Sequence, residues 1–185
     1  MKQNRHGKAE PLTRSQFRSV FNEIQDPMIK AVFATCWYTA ERPSAVLKLQ
    51  VQDVFHRGKV RAAIVFPKNT RKDRTTREVP VHKNLAAVLR EYEAPLAGYL
   101  FPAPVKEGCC LSFDTYSKYL ARVFHRLNMV GYSTYSTRRG AITHLSRSGL
   151  DPRKIQQITG HASLTSLQRY IDVDEAEVKK GVDLL

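Results

Sequence analysis

A chain of 185 residues holds one ordinary domain with at most a small appendage. With 42% apolar residues and 9% aromatics it has the material for a core, which excludes a disordered tail. Thirty Lys and Arg against seventeen Asp and Glu leave a net charge of +13, and so large an excess points to a polyanionic partner, nucleic acid ahead of a membrane surface.

The three cysteines, Cys36, Cys109 and Cys110, are odd in number and two are adjacent. No C-x-x-C pair occurs, so neither a disulfide framework nor a zinc site is expected. The opening MKQNRHGKAEP has no apolar centre and is no secretory signal. No run approaches the roughly eighteen apolar residues that span a bilayer, so no membrane partner is expected. A reducing, cytoplasmic setting is the default.

In chain order, residues 1–12 form a basic lead whose tip is expected to be disordered. Thr13 and Gln16 then read as a capping box that opens a helix running to about Ile24, with Leu12 stapled to Phe17. Asp26 and Pro27 cap and begin a second helix through Ala40, apolar almost all round and so central to the core. Pro43 opens a short third helix with Val46, Leu47 and Leu49 inward. The β-branched residues between Lys59 and Phe66 predict a strand, with a return strand over Arg77 to Val81. The intervening loop, Pro67 to Thr76, carries four basic residues and one acid.

His82 to Glu93 reads as a helix broken by Pro95 and Gly98. Ser112 caps another, in which Phe113, Tyr116, Tyr119, Leu120, Val123, Phe124 and Leu127 keep the 3.6-residue period. Tyr116 and Tyr119 are assigned to core packing rather than to a base-stacking platform. Asp151 and Pro152 begin a further helix that Gly160 ends, and Ser163 to Asp172 form the last one. The expected class is α+β, mostly α-helical with a small antiparallel hairpin.

The closing stretch, STYSTRRGAITHLSRSGLDPRKIQQITGHASLTSLQRYIDV, contains Arg138 and Arg139, then Gly160-His161, then Tyr170 nine residues past the histidine. That ordered set resembles the tyrosine recombinase (phage integrase) family, whose signature runs H-x-x-R, L-G-H and a tyrosine nine residues on. The stretch Thr39 to Leu49 is similar to the family's first-arginine box, G-L-R-x-S-E-x-x-x-L, with a strand bearing an aspartate after it. The resemblance covers residues 13–173 and implies the family's catalytic-domain fold. It makes Arg42 and Arg138 the two catalytic arginines, His161 the late histidine, Tyr170 the nucleophile and Asp53 the aspartate.

The family carries a catalytic lysine in the hairpin. Counting on from the first strand gives Lys68, the preferred choice, and counting back from Arg-x-Val-Pro gives Lys72. Arg71, Lys72 and Arg74 of the same loop, with Arg139 beside Arg138, are expected to bind DNA. His144 is assigned to packing.

This chain departs from the family pattern at three places. Ala40-Glu41 replaces Gly-Leu, and Ala45 replaces the buttressing glutamate, so positioning of the box must come from elsewhere. Tyr135 stands where the histidine of H-x-x-R belongs; one helical turn before Arg138, it is expected to share its face. A phenol can hydrogen-bond a phosphate but cannot carry a proton at neutral pH as imidazole does.

What the resemblance implies is phosphoryl transfer without a metal or cofactor. A tyrosine oxygen attacks a phosphodiester, fixed guanidiniums meet the charge on the non-bridging oxygens, and lysine or histidine moves the proton. The leading expectation is a site-specific recombinase or integrase acting on double-stranded DNA through a 3′-phosphotyrosine, self-associating as a tetramer on DNA and nucleoid-associated. The alternatives are a cleavage-deficient DNA-binding regulator of the same fold, a topoisomerase sharing this active-site plan, and a basic RNA-binding domain. The family's amino-terminal core-binding domain has no counterpart in these residues, which suits a catalytic domain alone or a short member. The tail, residues 174–185, places Val178, Val182 and Leu185 on one stripe that would dock on a neighbouring protomer.

Overall fold

Helix α2 (Pro27–Thr39) organises the molecule because its sequence leaves it almost no solvent face. Asp26 Oδ1 accepts the Ile29 amide at 3.0 Å and Pro27 supplies the first helical φ, so the start is fixed locally. From there nine of its thirteen residues are buried, including Val32, Phe33 and Cys36, and they can be covered only by elements on several sides. The computed structural model describes residues 9–71, 74–168, 170, 179, 182 and 183.

Helix α1 (Arg14–Glu23) begins at the expected capping box: Gln16 N–H donates to Thr13 Oγ1 at 3.2 Å and Thr13 N–H to Gln16 Oε1 at 2.9 Å. Its Phe17 stacks on Trp37 and Phe33 of α2, with ring centroids at 4.5 and 5.2 Å. After α2 come two single-turn helices, α3 (Pro43–Val46) and α4 (Val51–Val54). The strand expected around Asp53 is instead the turn α4, because Asp53 Oδ2 accepts the Gln50 amide at 2.8 Å and closes a helical cap.

The strand expected from Lys59 to Phe66 is two strands. Short β1 (Phe55–His56) and β2 (Lys59–Val60) pair antiparallel around Arg57-Gly58. The chain shifts at Arg61-Ala62, and β3 (Ala63–Phe66) pairs with β4 (Arg77–Pro80), Phe66 opposite Arg77. The return strand thus stands where expected.

Helices α5 (Lys83–Glu91) and α6 (Phe113–Arg126) follow, α6 capped by Ser112 Oγ accepting the Thr115 amide at 3.0 Å. Tyr116 is fully buried, and the Tyr119 hydroxyl accepts the Gln25 and Asp26 amides, so both serve the core as expected. Phe113, read as inward, is 39% exposed.

The last elements are α7 (Ser136–Arg147), α8 (Pro152–Thr159) and the short α9 (Leu164–Gln168), with Tyr170 just beyond. Helix α2 packs against α1, α3, α5 and α7, leaving its carboxyl end beside the amino half of α7. His144 is half-buried on α7, where burial and then Arg14 lower its pKa from the ordinary value, in keeping with a packing role. Arg169, residues 171–178 and most of the proposed docking stripe lie outside the described residues.

Segment 9–12 runs across α7, with Leu12 N–H donating to Ser136 O at 3.2 Å. The approach exists because residue 140 is glycine: a Cβ there would lie 2.2 Å from the Leu12 carbonyl oxygen and 2.8 Å from Trp37 Cζ3. Gly140→Ala is therefore expected to lower stability by about 1–3 kcal/mol despite alanine's better helix propensity. Thermal unfolding would read this as a fall in Tm of roughly 2–4 °C per kcal/mol.

Candidate active site

The site grows from how α2 ends. Ala40, its C-cap, lies in the left-handed region at φ 49°, ψ 27°, which costs a residue with a Cβ about 1–2 kcal/mol. That turn aims the Ala40 carbonyl at Arg138, whose Nη1 donates to it, and drives Glu41 inside, where it is fully buried.

Around that carboxylate four guanidiniums gather. Oε1 accepts the Arg42 amide at 2.8 Å and lies 3.9 Å from Arg42 Nη1 and 3.6 Å from Arg138 Nη1. Oε2 accepts from Arg71 Nε at 3.1 Å and lies 3.4 Å from Arg77 Nη2. Each arginine comes from a different piece of chain: the start of α3, the β3–β4 loop, β4 and α7.

Several further donors of these arginines go to carbonyls. Arg71 donates to Thr75 O at 3.0 Å and Gly160 O at 3.3 Å, and Arg77 Nη2 to Thr39 O at 2.9 Å. Gly160, at φ 64°, admits this because a Cβ there would lie 2.3 Å from Arg71 Nη2. The loop arginine thus holds the turn that presents His161.

Arg138 is fully buried while the Arg42 side chain keeps 26% of its exposure. Burial, then Arg42, lowers the Arg138 pKa, and Glu41 and Tyr170 oppose the change. Its Nη2 donates to Thr159 O at 3.3 Å and meets His161 Nε2 at 3.0 Å.

A guanidinium can only donate, so Nε2 is the acceptor and His161 is neutral with its proton on Nδ1. Nδ1 meets Thr159 Oγ1 at 2.6 Å, and the Thr159 hydroxyl donates in turn to Ile155 O at 2.7 Å. One direction of donation therefore runs from Arg138 through His161 and Thr159 to the backbone of α8. The pKa agrees: burial, followed by Arg138, Arg42 and Arg77, pushes His161 down to about 3.

Tyr170 completes the group. Its ring centroid is 5.1 Å from that of His161, and Arg138 Cζ and Arg139 Cζ lie 6.0 and 5.7 Å from it. The backbone is tied by Thr143 Oγ1 donating to Tyr170 O at 3.3 Å. Arg42, Arg138, His161 and Tyr170, spread over most of the chain, thus share one location.

Of the other predicted residues, Arg71 is one of the four guanidiniums on Glu41 and Arg139 lies beside the Tyr170 ring, whereas Lys68, Tyr135 and Arg74 are exposed. Lys68 is exposed at the start of a 3-10 turn (Lys68–Thr70) directly after β3, with no partner among the described residues. Tyr135 is the N-cap of α7, 42% exposed, its ring 6.4 Å from that of Phe113, so it does not share Arg138's buried face. Arg74 is exposed, whereas Arg71 and Arg139 are 5% and 9% exposed. Lys72 lies outside the described residues.

Glu41, Arg77 and Thr159 are the site residues that the sequence reading missed. Glu41 had a signal: a lone carboxylate closing the apolar run of α2. Arg77 had one too, since strand alternation puts it on the inward face with Val79. Thr159 had none.

An open cleft of about 560 Å³ borders the group, lined by Arg71, Arg77, Arg153, Gln156 and His161. A cavity of about 670 Å³ beside the β1–β2 turn and α5 contains none of these residues but Arg57, Arg61 and Arg90. No cluster of His, Cys, Asp and Glu able to hold a metal occurs among the described residues. No helix among them is long and apolar enough to cross a membrane.

Residues 10–177 match the model of the phage integrase family. The chain is 33% identical over 149 residues to tyrosine recombinase XerC of Nitrobacter winogradskyi, and 31% identical over 150 residues to XerC of Bradyrhizobium diazoefficiens. Each match takes in 78% of this chain and 45% of the relative, so the chain spans about half the length of these proteins. In fold it is similar to XerA recombinase at TM-score 0.77 and 19% identity, over 100% of this chain and 66% of that one. It is likewise similar to XerH site-specific recombinase bound to palindromic difH, at TM-score 0.74 and 18% identity, over 97% of this chain and 54% of that one.

A histidine held neutral has a consequence for stability. Its folded pKa of about 3 lies below the ordinary 6.5, so its contribution is fully present above 6.5 and is lost as pH falls from there toward 3. Across that window it steepens the acid limb by up to about 1.4 kcal/mol per pH unit. Chemical denaturation at pH 7 and pH 4.5 is expected to find a smaller loss of stability in His161→Gln than in the unsubstituted protein.

Proposed function

The chain belongs to the phage integrase family, and from that premise we propose that it cuts and rejoins DNA strands at specific sites through a covalent bond to Tyr170. The observation that carries this reading is the meeting of Arg42 and Arg138 at one carboxylate with His161 and Tyr170 alongside. Two guanidiniums offer fixed donors to a phosphate, and the phenol beside them supplies an oxygen nucleophile.

In the proposed step a phosphodiester takes the place of Tyr170's ring beside Arg138 and draws the guanidiniums of Arg42 and Arg138 onto its non-bridging oxygens. Arg138 Nε, buried with no acceptor, is a further donor available there. Arg138 then releases His161 Nε2, and the incoming anion offsets the cations that depress the imidazole. Tyr170 Oη attacks phosphorus, its proton passes to Nε2, and the bond from phosphorus to the 5′-oxygen breaks. Lys68, on the exposed turn after β3, gives that oxygen its proton. Attack by a 5′-hydroxyl on the 3′-phosphotyrosine reverses each transfer and reseals a strand, with no nucleotide consumed. Tyr135, exposed at the start of α7, is assigned a hydrogen bond from its hydroxyl to the DNA backbone.

Residues 13–173 form the catalytic domain in this reading, and Arg74, Arg139 and Lys72 contribute cations to the DNA face. XerH and the Tn1549 transposon integrase are solved bound to DNA, which supports double-stranded DNA as the partner. Self-association on DNA as a tetramer, through the tail of residues 174–185, extends the same proposal. A cleavage-deficient DNA-binding regulator is the second reading, favoured by the complete burial of Arg138 and by Tyr135 in place of a histidine.

A nicked suicide duplex carrying the cognate site decides between them. Covalent protein–DNA complex is expected from the unsubstituted chain, none from Tyr170→Phe, and about 10²–10³-fold less from Arg138→Lys. Absence of any complex from the unsubstituted chain would establish the regulator.

The loop arginines separate in a second measurement. Arg74→Ala is expected to lower the slope of log affinity against log salt by roughly 1 with stability unchanged. Arg71→Ala, which strips a partner from a buried carboxylate, is expected to cost about 3–5 kcal/mol of stability.

A further inference from the structure

The backbone around Arg42 explains how this chain dispenses with a glutamate at position 45. Arg42 is the N-cap of α3, so its amide lies outside the helical ladder and needs an acceptor. In a capping box that acceptor is the side chain at the third helical position. Here that position is Ala45, whose amide donates to Arg42 O at 2.9 Å and whose methyl is buried and accepts nothing. The Arg42 amide donates to Glu41 Oε1 at 2.8 Å instead. The same carboxylate reaches Arg42 Nη1, Arg71 Nε, Arg77 Nη2 and Arg138 Nη1 between 3.1 and 3.9 Å.

We propose that Glu41 is the positioning residue of this site: it caps the Arg42 backbone in place of a third-position carboxylate and fixes the guanidiniums of Arg42 and Arg138 at the spacing that receives one phosphate. The proposal rests on the strand-cleavage reading for the purpose of that spacing, but not for the clamp itself. A carboxylate restored at position 45 reoccupies the capping site and brings a charge to the same cluster from one helical turn away.

Single-turnover trapping on the suicide duplex, DNA affinity, and hydrogen exchange at the Arg71 Nε–H are measured on three proteins. Glu41→Gln keeps the side chain's size and an acceptor oxygen but removes the charge. It is expected to trap at least 100-fold more slowly with DNA affinity within about threefold, and to exchange the Arg71 proton at least tenfold faster. Glu41→Gln/Ala45→Glu is expected to regain at least tenfold in trapping rate. Should Glu41→Gln fail to fold, recovery of a cooperative melt in the double variant supports the relocated carboxylate, and a double variant that also fails to fold overturns it.

Trapping and exchange within threefold of the unsubstituted protein in Glu41→Gln would overturn the proposal. So would a folded double variant with no recovery in either. If the unsubstituted chain traps no DNA, the cleavage reading falls, and the exchange measurement still decides whether Glu41 holds the arginines.

Discussion

A single carboxylate buried among four guanidiniums sets the terms for this molecule. Taking Glu41 out of water is unfavourable by several kcal/mol, and only donors aimed at both its oxygens offset that. The donors come from α3, the β3–β4 loop, β4 and α7, so the folded arrangement of four separate pieces of chain is the condition under which the charge can be buried at all. The same set leaves an excess of positive charge in a small, poorly solvated volume.

The excess charge shapes its neighbours. His161, in contact with a guanidinium and close to two more, is held as a neutral acceptor, and Thr159 fixes which nitrogen carries the proton. Tyr170 lays its ring near Arg138 and Arg139, so the deepest cation is covered. What covers it is weakly held. Helix α9 is five residues long and Leu167 is its one buried side chain, which places this segment among the parts of the fold that open at small cost. Exposure of Arg138 thereby becomes a matter of local opening rather than of global rearrangement.

Much of this was legible in the chain. Caps written in single residues (Thr13 with Gln16, Asp26 before Pro27, Ser112, Asp151) located four helix starts, because each satisfies backbone amides locally. The family resemblance carried by Arg42, Arg138, His161 and Tyr170 picked out residues that the fold does bring together. The misreadings share a cause, which is that a pattern in the sequence was overruled by the partners its residues find in the fold. Asp53 was taken into a helical turn by the Gln50 amide, and the long strand broke where its two halves found different partners. Tyr135 has the right interval to Arg138 but sits at the N-cap, exposed, with its ring turned toward Phe113. Glu41 escaped notice because a charge at the end of an apolar helix ordinarily belongs to solvent, and only the arginines far along the chain keep it inside.

The turn that carries Lys68 is pinned on both sides. Phe66 is fully buried at its near end and Arg71 is clamped to Glu41 at its far end, so four residues bridge two fixed posts. A cationic head on so short a tether samples a volume only a few residues across, and its local concentration near the arginines is set by chain length rather than by any contact of its own. The reach of the Lys68 ammonium is then set by the number of links between the posts, and lengthening or shortening that bridge would change it without touching either post.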